Sequence, residues 1–143
     1  MLFTNEKLFR FGMADSPSCV FCQTEVESVG YLLFSCRVSS SFWKHVLSWL
    51  RDYNISVDSL EEEDVIFIKF DIAEYFLLFN HILLLGKFYI YSQKYQNGIP
   101  SLQGFIARTR RIYNIELHIA GKRDKLDNHF RKWKKLLSVF TNE

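Results

Sequence analysis

Residues 71–98, DIAEYFLLFNHILLLGKFYIYSQKYQNG, decide the class of fold. Asp71 followed three residues later by Glu74 is an Asp version of the capping box, in which each side chain accepts from a backbone N–H that the first turn leaves free. The apolar-periodic run it opens stops at Asn97-Gly98, a pair suited to a left-handed C-terminal cap, so the spacing predicts a helix over 71–96. Its most apolar window, 76–91, is 16 residues long and is interrupted by Asn80, His81 and Lys87. A membrane span needs about 18–20 clean apolar residues, so the segment reads as a buried helix that other amphipathic elements must cover.

Those elements lie on either side. Pro100-Ser101 restarts the chain, and a helix over 101–121 places Leu102, Phe105, Ile106, Ile112, Tyr113, Ile115 and Ile119 along an apolar stripe. A last helix, 122–139, sets Leu126, Phe130, Trp133, Leu136 and Leu137 against Lys and Arg. Upstream, Ser39, Ser40 or Ser41 can cap a helix over 39–54 that carries Phe42, Trp43, Val46, Leu47, Trp49, Leu50 and Tyr53. The acidic link 58–70 reads as a short helix capped by Asp58 or Ser59, or as a connector. Residues 1–36, with Gly12, Asp15, Ser16, Pro17 and Ser18, form the turn-rich stretch. The expectation is a mainly α fold: a small loop-rich, zinc-knuckle-like N-terminal module packed on a bundle of about four helices. The organisation expected is residues 1–54 for the module with its following helix and 55–143 for a helical region ending in basic helices.

Composition agrees with a globular chain. Of 143 residues, 48% are hydrophobic, 24% are charged, and Gly and Pro together number only 8, so a core can form and extended disorder is excluded. Net charge is +2, but its placement is uneven: 51–75 hold eight acidic and two basic residues, whereas 104–135 hold ten basic and three acidic. A basic stretch of that kind points towards a polyanion. The opening MLFTNEKLFRFG carries Glu6, Lys7 and Arg10 without an apolar run, and so does not read as a secretory signal. The expected setting is intracellular, in cytoplasm or nucleus, with no membrane partner.

The three cysteines all fall within 19–36, an odd number in a short stretch, which argues against a disulfide framework. Cys19-Val20-Phe21-Cys22 is a Cys-x2-Cys knuckle, whose two thiolates on one turn can reach the same ion at about 2.3 Å. Cys36 supplies one later ligand. The module is too short to bury a core of its own, so metal binding is a natural source of its stability. The alternative is that the cysteines serve as small buried hydrophobes.

The stretch LFTNEKLFRFGMADSPSCVFCQTEVESVGYLLFSCRVSSSFWKHVLSWL resembles the zinc-binding domain found downstream of the reverse transcriptase in non-LTR (LINE-type) retrotransposons. The matching positions are Gly12, Asp15, Ser16, Cys19, Cys22, Glu27, Leu32, Cys36, Phe42 and Trp43, about a third of the chain in extent. NHILLLGKFYIY, PSLQGFI and KLDNHFRKW resemble, more loosely, the helical C-terminal tail of such polyproteins. Leu2, Leu8 and Gly12 sit in the family pattern as though the chain continued upstream. The resemblance implies zinc held by Cys19, Cys22, Cys36 and a histidine, but Tyr31 stands where the family has that histidine. A neutral phenol is a poor zinc ligand, so the carried-over ligand set is incomplete. Three thiolates with a water, or His45 as substitute, are the ways to complete it.

The polymerase itself is not signalled. There is no Tyr-x-Asp-Asp carboxylate pair, no Gly-rich phosphate loop and no Gly-x-Ser-x-Gly elbow, so a non-enzyme is expected. Arg108, Arg110, Arg111, Lys122, Arg123, Lys132 and Lys134 are the phosphate-contact candidates, with Tyr113, Phe130 and Trp133 interleaved. Trp133 has the helical spacing of a core residue, His81 that of a boundary residue, and His118 and His129 lie among the cations. The function expected is a nucleic-acid-binding accessory segment of a retrotransposon reverse transcriptase polyprotein, a truncated or degenerate copy, binding RNA or DNA through its basic face and partnered by the upstream reverse transcriptase domain. The alternative is a structural helical domain that docks on that polymerase and retains neither zinc nor nucleic-acid binding.

Overall fold

The computed structural model describes residues 2–57, 59–68 and 74–141, and these are mostly helical. In chain order they form α1 (Asn5–Arg10), a π-helical turn (Tyr31–Ser35), α2 (Arg37–Arg51), α3 (Glu62–Phe67), α4 (Glu74–Tyr95), α5 (Leu102–Lys122), α6 (Leu126–Lys132), a 3-10 turn (Lys134–Leu136) and α7 (Leu137–Phe140). The long helices α2, α4 and α5 fall where the apolar periodicity places them. No helix among the described residues is long and apolar enough to cross a membrane.

The helix ends follow local chemistry. Ser101 caps α5, its side chain accepting from the Gly104 N–H at 3.1 Å. Past the end of α4 at Tyr95, Asn97 takes the left-handed conformation (φ 55°) while the Gly98 N–H returns to the Gln93 carbonyl at 3.1 Å. Asp71, the expected cap at its start, lies outside the described residues. Two boundaries differ from expectation. α2 starts from Cys36 rather than from a serine, and Ser39 is buried inside the helix with its hydroxyl donating to the Leu32 carbonyl. In the acidic link the cap is Glu61, whose N–H donates to the Asp64 carboxylate at 2.9 Å; Ser59 lies ahead of it and Asp58 outside the described residues.

The expected bundle of about four helices is also more divided. α1 and α3 add short helices, and the single helix expected over 122–139 is α6, a 3-10 turn and α7. Buried His129, Trp133, Leu136 and Phe140 keep helical spacing across that break, so the apolar stripe reads the same whether the backbone is continuous or divided.

One core joins the elements. Phe42 and Trp43 of α2, Tyr89 of α4 and Phe105 of α5 pack with ring centroids 5.2–5.8 Å apart, Phe42 meeting Phe105 edge-on at 90°. Gly86 makes room for the Trp43 indole: a Cβ there would lie 2.5 Å from the ring. Leu32 and Leu33 of the π turn are buried in the same cluster, and the Trp43 indole N–H donates to the Leu33 carbonyl at 2.7 Å. A second aromatic group, Tyr113, Trp133 and Phe140, holds α6 and α7 against α5 with centroids 5.4–5.5 Å apart.

Between α4, α5 and α6 sits a polar knot. Glu116 accepts from His81 at 2.8 Å, from the Lys132 ammonium at 2.9 Å and from the Trp133 indole at 3.1 Å. Partial burial favours the neutral acid, but the hydrogen bonds and charges of His81 and Lys132 outweigh it and hold the carboxyl down to about 2.

Candidate metal centre and basic face

The knuckle is a tight reversal. The Gln23 N–H returns to the Cys19 carbonyl at 2.9 Å with Gln23 left-handed (φ 60°), and the Cys19 N–H donates to the Glu25 carbonyl at 2.8 Å. An antiparallel bridge between Ser18 and Val26 closes its base. Downstream, the π turn sets the third cysteine. Its wide hydrogen bond runs from the Cys36 N–H to the Tyr31 carbonyl at 2.8 Å, so residues 31 and 36, five apart, stand one turn from each other. Cys36 thereby meets the knuckle, with Tyr31 packed against the same group.

All three cysteines are free and buried, and their sulfurs lie within 4.8 Å of one another, Cys19 and Cys36 at 3.8 Å. This group could hold a metal ion. The sulfurs are not equivalent. Burial pushes the Cys19 thiol up to about 12. At Cys22 burial pulls the same way, but hydrogen bonds from the Thr24 hydroxyl at 3.3 Å and the Tyr31 hydroxyl at 3.1 Å, with the backbone N–H groups of Thr24 and Glu25, hold it down to about 6. Tyr31 moves the other way, up to about 12, chiefly because its hydroxyl proton is held by the Cys22 sulfur.

As a donor set, three sulfurs fall one short of the four that structural zinc takes. Among the described residues no His, Asp or Glu atom joins the group. His45 is exposed on α2, and nine residues of helix beyond Cys36 amount to roughly 13 Å of rise. The residues present therefore leave a closed four-ligand zinc site incomplete.

A residue whose role the sequence did not disclose organises this corner. Glu27 is fully buried and its carboxylate accepts from the Val20 N–H inside the knuckle at 2.7 Å, from the Asn5 N–H at 2.7 Å and from the Lys94 ammonium at 2.5 Å. Lys94, on α4, has a side chain only 4% exposed and also donates to the Asn5 side chain at 2.7 Å. The knuckle, α1 and α4 thus share one buried charge pair. An acidic side chain at the family's Glu position and a lysine on the apolar helix 71–96 were the available signals.

The matching family is one described as zinc-binding in reverse transcriptase, and it covers residues 1–43, the stretch that carries all three cysteines. Neither a curated protein nor a solved structure matches the chain. The chain is therefore similar to that module over its N-terminal part.

The basic candidates divide by environment. Arg108 donates to the Ser92 hydroxyl, Arg110 to the Val139 carbonyl at 3.2 Å, and Lys132 is tied to Glu116. Arg111, Lys122, Arg123 and Lys134 are exposed, as are Lys125 and Arg131 beside them. Of the interleaved rings, Tyr113 and Trp133 are core, and Phe130 is 38% exposed. His118 is exposed. His129, expected among the cations, is buried against the Tyr113 ring with centroids 4.7 Å apart, and burial lowers its pKa.

Proposed function

We propose that this chain is a non-catalytic, nucleic-acid-binding accessory segment of a non-LTR retrotransposon reverse transcriptase polyprotein, working inside the cell with the cysteine cluster as its metal-holding corner. The observation that carries the reading is the run of exposed cations from the end of α5 through α6 to the 3-10 turn, Lys122, Arg123, Lys125, Arg131 and Lys134, on a chain whose N-terminal part matches a reverse-transcriptase zinc-binding family. Flexible cations of this kind neutralise phosphates with little regard for sequence, and exposed Phe130 offers a face for base stacking. Arg111 extends the set along α5, whereas Arg108, Arg110 and Lys132 serve first to hold helices together.

The test is binding of labelled single-stranded RNA and duplex DNA by fluorescence anisotropy, from about 50 to about 200 mM salt. Affinity falls steeply across that range for the wild type. In a Lys122→Glu, Arg123→Glu, Lys134→Glu variant it drops for all sequences alike, and the log–log salt slope flattens by about 0.7–0.9 for each phosphate that is no longer neutralised. Unchanged affinity in the variant would reduce the cations to a solvated face.

A second reading has its own support. The outward side of α4 exposes Leu77, Leu84 and Phe88, at 50%, 39% and 53%, and apolar side chains in line on one helix face suit docking on the polymerase. Docking of that kind persists as salt rises, so the same titration separates the two readings.

A further inference from the structure

The cysteine cluster presents three sulfurs and a phenol where family-type zinc coordination needs four donors. We propose that Cys19, Cys22 and Cys36 form a three-sulfur site for a soft, thiophilic ion satisfied by three ligands, with Tyr31 closing the fourth side as a hydrogen-bond partner of the Cys22 sulfur and not as a ligand. The inference rests on the metal reading of the cluster and is independent of nucleic-acid binding.

The geometry is that of a formed site. Ligands bonded to one ion at about 2.3 Å stand roughly 3.8–4.0 Å apart, and Cys19 and Cys36 already stand at 3.8 Å, with Cys22 inside the 4.8 Å group. Every donor there is soft, and soft thiolates select for thiophilic ions. Nothing hard completes the shell: among the described residues no imidazole or carboxylate converges on the sulfurs. Cys19 and Cys36 are fully buried and Tyr31 packs on the cluster with its hydroxyl on the Cys22 sulfur, so the residue at the family's histidine position offers zinc only a phenol. The Tyr31 hydroxyl, 3.1 Å from the Cys22 sulfur, stabilises that sulfur as an outer partner. A zinc ion left with three ligands loses most from this arrangement; Cu⁺, a soft ion for which three thiolates make a complete shell, loses least.

The experiment measures the affinities of the whole chain for Zn²⁺ and, under anaerobic reducing conditions, Cu⁺ by chelator competition, reading sulfur-to-metal charge transfer in the ultraviolet, with helical circular dichroism as the control for folding. The wild type favours Cu⁺. Tyr31→His supplies the missing nitrogen and raises zinc affinity by roughly tenfold or more, the scale on which even outer partners move metal binding, while Cu⁺ affinity changes little. Tyr31→Phe keeps the ring, weakens both metals alike by removing the outer hydrogen bond, and leaves the three-sulfur preference for Cu⁺ over Zn²⁺ in place. A loss in Tyr31→Phe confined to zinc would make the phenol a zinc ligand and overturn the proposal, as would zinc affinity indifferent to Tyr31→His. Absence of both metals, with a Cys19, Cys22, Cys36→Ser variant behaving like the wild type, would overturn the metal reading itself.

Discussion

Glu116 illustrates how much one side chain carries in this chain. Its carboxylate is the common acceptor for His81 and for the adjacent Lys132 and Trp133, two places far apart in the sequence. A carboxyl held at about 2 against an ordinary 4.5 binds its proton less readily when folded than when unfolded. It therefore contributes stability that is fully present above about pH 4.5 and is lost as the pH falls towards about 2. Glu116→Gln should lower the unfolding free energy by about 1–3 kcal/mol near neutrality, and the gap to the wild type should close between pH 4.5 and 2 in urea titrations. A gap that stays constant with pH would mean the charge is not what matters. Sequence reading finds His81 as a boundary residue and Lys132 as a phosphate contact, but not the acid between them. The reason is physical: one glutamate among ten nearby cations has no sequence feature that says which of them it will meet, since that depends on how three helices cross.

At the scale of elements, α4 carries more of the architecture than its apolar run suggests. It lies beneath α2 and α5 and also receives the knuckle through the Lys94–Glu27 pair. Replacing Lys94 by Met should destabilise the fold by about 3–5 kcal/mol, because it strands a buried carboxylate. Glu27→Gln with Lys94→Met should recover much of that loss, since neither side then keeps a lone charge. A single variant as stable as the wild type in denaturant melts would show the pair to be dispensable. The helices α2, α4 and α5 were legible because amphipathic spacing and end caps are local properties of the chain. The π turn at Tyr31–Ser35 was not, because YLLFS carries no signal that separates it from an α turn. Its consequence is large, since that wider turn is what brings Tyr31 and Cys36 to one side. Likewise the cysteines could be read as a group from their spacing, whereas the contact of Tyr31 with Cys22 depends on backbone geometry that spacing does not encode.

For the molecule as a whole, charged and apolar surfaces interleave, since Leu126 and Phe130 are exposed among the cations of α6. The exposed cations cluster at the end of α5 and on α6, and the exposed Leu84 and Phe88 lie on α4. Leu84→Glu with Phe88→Glu should leave the unfolding midpoint nearly unchanged, because both side chains already meet water, and should lower self-association in sedimentation experiments. Unchanged association would remove α4 as the adhesive face. The charge asymmetry was visible in the sequence and points to the region that bears the exposed cations. Which cations are free was not visible, because Arg108 and Lys132 are occupied by partners 16 residues away in the chain.

The buried Glu27–Lys94 pair also sets an order of events during synthesis. The knuckle leaves the ribosome first, but the cation that neutralises its carboxylate follows 67 residues later. At about 5–20 residues per second, that is an interval of roughly 3–13 s in which the N-terminal corner exists without its counter-charge. During that time the carboxylate has the Val20 and Asn5 N–H groups and water but no cation to stabilise it, so the corner stays open to solvent, and its thiols to whatever metal or oxidant the surroundings hold, until α4 emerges and closes over it.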